Sequence, residues 1–100
     1  LSEAALKDHN ERRRGWINQN REAYEAAVER MKSSVPETMI KIGSLLSTVT
    51  AEDPPHKAHW VVAQCRVLIQ GLMADSTLVN KFEADQRALS GYDIRAARGE

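Results

Sequence analysis

Between Asp53 and Ala74 the chain carries an apolar run that few folds can accommodate. Trp60, Val61, Val62, Cys65, Val67, Leu68, Ile69, Leu72 and Met73 all fall within it. At about 100° per residue these side chains cover most of a helix circumference. Only His59, Arg66 and Gln70, with Ala63 between them, form a polar strip. A helix that is apolar nearly all round is a buried one. Asp53 stands where an N-cap would, and Pro54 and Pro55 suit a first turn, whose N–H groups lack helical partners. The expectation is a central helix, or one also buried against a second chain.

The remaining residues divide into three further helical segments and no strands. Neither period-two alternation of useful length nor an Asn-Gly or Asp-Gly hairpin signal occurs. A first helix is expected from Ser2 to Lys32, with Trp16, Ile17, Asn20, Ala23, Tyr24, Ala27, Val28 and Met31 on one stripe. Upstream that stripe meets Arg13 and His9, so its apolar character fades before Trp16. Either Gly15 breaks the helix there, or residues 1–14 project beyond the core. A second helix is expected from Ser34, which stands at capping-box spacing from Glu37 with Pro36 in the first turn. Met39, Ile40, Ile42, Leu45, Leu46 and Val49 supply its apolar face. A fourth is expected to begin after Asp75 or Ser76 and to stop at Gly91, leaving 92–100 as a short turn or loose tail. The predicted fold is all-α: a single domain over residues 1–100, a compact bundle of about four helices with a long first helix and a central, mostly apolar third helix.

Composition narrows the functional classes. Lys plus Arg and Asp plus Glu both number 14, so net charge is zero. That balance argues against a strongly basic nucleic-acid binder or a polybasic membrane anchor. The apolar runs are far shorter than the roughly 20 residues that span a bilayer. The N-terminal residues carry charge and lack the apolar core of a secretory signal. Cys65 is the single cysteine, which rules out an intrachain disulfide and suits a reducing, cytoplasmic compartment.

Chemistry-bearing clusters are sparse. His56, His59 and Cys65 are the soft-ligand group, but Cys65 lies about 120° from His59 around a helix. Surface histidines and a buried cysteine are the simpler assignment, and neither a metal nor another cofactor is expected. The five glycines are scattered and build no phosphate loop. Arg12, Arg13 and Arg14, with Lys7 and Arg21, form the sharpest basic segment. Consecutive residues fan round a helix, so this run is either a salt-bridged helix end or a contact to phosphates.

The leading expectation is a non-enzymatic module for protein–protein interaction or oligomerisation, an adaptor, regulatory or accessory domain. Its partner is a protein or a second copy of the chain. Trp16, Tyr24, Trp60, Ile69 and Met73 are the expected interface residues, because large aromatic and apolar anchors dominate such contacts. One alternative is an accessory domain that binds nucleic acid through Lys7, Arg12, Arg13, Arg14 and Arg21. A second is a small-ligand or enzymatic domain using His59, Arg66 and Gln70, which requires those side chains to line a concave pocket.

Overall fold

The computed structural model describes residues 2–99. They form two helices, α1 (Glu3–Leu46) and α2 (Pro55–Ala97), joined by a turn over 47–54. The helices pack side by side as an antiparallel hairpin, pinned along its length by Arg14 to Asp93 and Arg30 to Asp75. A helix of this length is about 66 Å long at 1.5 Å per residue, and the molecule measures 65 × 27 × 19 Å. Its radius of gyration is 20.6 Å, against about 13 Å for a compact domain of 100 residues.

The all-α class holds, and the compact four-helix bundle does not. The two breaks expected inside the chain are absent. Ser34 does not cap a helix: its buried hydroxyl has no hydrogen-bond partner. Pro36 lies inside α1, where it leaves the carbonyl of Lys32 without its helical donor. Asp75 and Ser76 lie inside α2, and Asp75 reaches across to accept two hydrogen bonds from Arg30, at 2.8 and 3.1 Å. Gly91 continues the helix, and residues 92–97 form its last turns. The glycine with a left-handed backbone is Gly99, at φ 74°, where its N–H closes the end of α2 on the carbonyl of Ala96. No third helix sits at the centre of a bundle, because the apolar run of 60–73 has a single neighbouring helix.

The N-cap expected at Asp53 is not formed, although a cap does form at Ser2. Ser2 caps α1, its hydroxyl accepting from the Ala5 N–H at 3.1 Å. Asp53 does belong to the turn before the second half of the chain. However, it accepts from the N–H of Thr50 and from Lys57, while Pro54 occupies the cap position. Those bonds hold the Asp53 carboxyl below its ordinary range, the Thr50 N–H contributing most.

What pairs the helices is an alternation of three and four residues. On α1 the pairing line runs through the buried or half-buried positions 10, 13, 17, 20, 24, 27, 31, 34 and 38, with half-buried residues such as 16, 28, 35 and 42 beside it; on α2 it runs through 61, 65, 68, 72, 75, 79, 82 and 89. That 3.5-residue repeat is the coiled-coil seam. Five of the nine α1 positions are Asn10, Arg13, Asn20, Ser34 and Thr38, so the seam is unusually polar on that side. No helix among the described residues is long and apolar enough to cross a membrane.

Candidate interaction surface

The end of the hairpin that carries the chain termini holds its best-packed core. Phe82 is fully buried, with Ile17 and Leu89 beside it. Tyr24 stacks on Phe82 with ring centroids 4.0 Å apart, and Trp16 packs at 6.1 Å. Trp16 and Tyr24, two of the expected interface residues, are thus half-buried in the chain's own core. Lys81 lies over the outer side of Trp16 at 4.3 Å.

The basic segment is largely matched within the chain. Arg12 bonds Asp8, and Arg13 bonds Asn10 and lies 3.5 Å from Asp85. Arg14 holds Asp93 through two hydrogen bonds, which raise its guanidinium pKa further. Arg21 lies over the Phe82 ring at 5.7 Å. Lys7 is exposed. This is the arrangement of a salt-bridged helix end, and it leaves few of these charges unmatched for phosphates. Asn10 is 2% exposed and donates to the Leu6 carbonyl, while residues 2–9, 11 and 12 are exposed.

At the turn end the relation between polarity and burial inverts. Met39, Ile40, Leu46, Trp60, Val62, Val67, Ile69 and Met73 are all between 49% and 69% exposed. Trp60, Ile69 and Met73 were expected at an interface, while Met39, Ile40, Leu46, Val62 and Val67 were assigned to the core. These side chains flank the seam on both sides. Ile40, Trp60 and Val67 line a trough of about 390 Å³ on one face. Leu46, Val62, Ile69 and Met73 line one of about 700 Å³ on the other, together with Ile42.

The larger trough is regular. Val28, Val35 and Ile42 recur every seventh residue along α1, and Val62 and Ile69 do the same along α2. In a seam of period 3.5 a seven-residue step returns to the same side, so these five form one stripe beside the pairing line. A shallow extension bounded by Tyr24, Val35, Val79 and Glu83 continues it toward the aromatic core. Further along the same two registers the residues become charged: Arg14 and Arg21 on α1, Glu83 on α2. A heptad count would have located this stripe, whereas a helix wheel of 3.6 residues smears it.

His59, Arg66 and Gln70 are exposed. Arg66 and Gln70 rim the larger trough, and His59 does not line it. Cys65 is buried at the seam and His56 lies on the surface. No group of three His, Cys, Asp or Glu among the described residues is placed to hold a metal ion. Comparison with protein-family models, curated proteins and solved structures finds no match.

Proposed function

We propose that this chain is a non-enzymatic association module whose turn half is covered by a protein partner. One observation carries the reading: eight large apolar side chains between Met39 and Met73 stand about half or more exposed, while the chain's tightest packing lies elsewhere. Contiguous apolar surface of this kind on a folded protein marks a place where something docks. The helices supply a rigid platform, and the turn half presents aliphatic side chains and Trp60, the residue types enriched at interface centres. The reading includes a cytoplasmic location, supported by the single unpaired Cys65.

The test is photocrosslinking in the cell that makes the protein. A photoreactive residue at Ile69 or Trp60 should give a discrete adduct, and one at Asn18 or Glu22, on the exposed polar side of α1, should not. Equal labelling at all four positions, or none at Ile69 and Trp60, would count against the proposal.

A further inference from the structure

We infer that the stripe of Val28, Val35, Ile42, Val62 and Ile69 is the interface of a homodimer in which two hairpins lie face to face with their turns at the same end. The inference rests on the association reading above and names the partner as a second copy of this chain.

Area is the first argument. A half-exposed large aliphatic side chain offers on the order of 100 Å². Met39, Leu46, Val62, Ile69 and Met73 on this face, with the half-buried Val28, Val35 and Ile42, present on the order of 600 Å² per copy. Standard interfaces take about 800 Å² from each partner. The opposite face, with Ile40, Trp60 and Val67 and the half-buried Leu45 and Leu68, offers less, on the order of 400 Å².

Charge is the second argument, and it selects the arrangement. Arg21 and Glu83 belong to the same two seven-residue registers as the stripe and stand at its aromatic end. They are level with each other along the hairpin, since Arg21 lies over the ring of Phe82, the residue beside Glu83. Neither has an ion-pair partner among the described residues, although Glu83 borders the apolar extension of the trough. A two-fold axis along the length of the hairpin lays α2 of one copy on α1 of the other at the same height. Glu83 then faces the partner's Arg21, twice per dimer, Val35 and Ile42 come level with the partner's Ile69 and Val62, and Val28 comes level with the partner's Ser76. A two-fold axis across the length can superpose the stripes, but it carries Glu83 toward the turn end of the other copy and away from the partner's Arg21. Opposite charges flanking an apolar seam are how paired helices select orientation and partner.

The experiment follows association of the whole chain by sedimentation equilibrium from about 1 µM to about 1 mM. Wild type should dimerise. Glu83→Arg and Arg21→Glu should each weaken self-association by about tenfold or more, because each places like charges across the interface. An equimolar mixture of the two variants should restore it, since in the mixed dimer both facing pairs are again opposite. An ion pair confined within one chain predicts no gain on mixing. Orientation is read separately from a spin label at Ala51 in a Cys65→Ala background. Turns at the same end put the labels about two to three helix diameters apart, roughly 20–30 Å, and opposed turns with the stripes superposed put them roughly 40–50 Å apart.

A dimer whose charge variants fail to rescue each other, or whose labels lie far apart, overturns the arrangement inferred here. A chain monomeric to about 1 mM overturns the homodimer altogether. In that case the crosslink from Ile69 separates the two failures: an adduct of another mass leaves the association reading standing, and no adduct removes both.

Discussion

The hairpin has two halves built from the same two helices and paired along one seam, yet they use apolar residues in opposite ways. The terminal half, residues 3–31 with 75–97, turns Phe82, Ile17 and Leu89 inward and ties its margins with Arg13 to Asp85, Arg14 to Asp93 and Arg30 to Asp75. The turn half, residues 32–74, buries Val61 and Cys65 but leaves Val62, Val67, Ile69 and Met73 at the surface. A pair of helices has one shared line of contact. An apolar stripe narrower than that line is buried by a hairpin, and one wider than it is not. The wide stripe of α2 therefore needs more neighbours than the chain provides, and the narrow one does not.

The largest expected effect contrasts a buried ring with an exposed aliphatic side chain. Phe82→Ala removes the ring on which Tyr24 stacks and should cost about 3–5 kcal/mol of unfolding free energy, read from urea denaturation. Val67→Ala, at a residue 61% exposed, should change the stability of the monomeric chain by less than about 0.5 kcal/mol. Comparable losses at the two sites would break the contrast, because they would mean that the turn half is also a packed core.

Pro36 lies near the boundary and predicts a gain. Proline inside a helix costs about 3 kcal/mol relative to alanine, and Pro36 is exposed, so alanine there loses little packing. Pro36→Ala should raise stability by about 2–3 kcal/mol and raise the melting temperature. No gain would show that the backbone around Lys32 already has its hydrogen bonds satisfied in another way.

Much of this was legible along the chain, and the losses have physical causes. The all-α class and the excess apolar surface of 60–73 follow from short-range signals that tertiary contacts left intact. The number of helices did not, because Ser34 with Pro36, and Asp75 with Ser76, are genuine local breakers. They are overridden by a seam that continues through both, Asp75 finding Arg30 across it. The packing of Trp16 and Tyr24 on Phe82 was not legible, because Phe82 stands far away in sequence. The exposure of Met39 and Ile40 was hidden for the opposite reason: burial was inferred from apolarity, but burial needs a neighbour, and the chain folds with two helices where four were expected.

A smaller loss is expected at the polar part of the terminal half. Asp85 lies 3.5 Å from Arg13 and 2.9 Å from Lys81, with its side chain 19% exposed. Asp85→Ala leaves the largely covered Arg13 guanidinium with the neutral partners Asn10 and His9, and should cost about 1–2 kcal/mol. Asp8→Ala, at an exposed pair with Arg12, should be close to neutral by the same denaturation measurement. Equal costs would show that burial does not separate these pairs.

The smallest effect is a pH dependence at the border between the halves. The hydrogen bonds from Arg30 hold the Asp75 carboxyl below its ordinary value of 3.8. A carboxyl depressed in the folded state favours folding above its unfolded value, and that contribution fades as pH falls through the depressed folded value. Asp75→Asn should therefore lower the melting temperature slightly at neutral pH. The difference from wild type should narrow below the ordinary carboxylate range and vanish in strong acid. Asp53, depressed by the Thr50 N–H and by Lys57, titrates in the same direction inside the turn itself. As pH falls, amide exchange should accelerate first around 47–57 and around Arg30, before it does around Phe82. Exchange that rose uniformly along both helices would mean that the two halves unfold as one unit, and that their difference in packing does not become a difference in local stability.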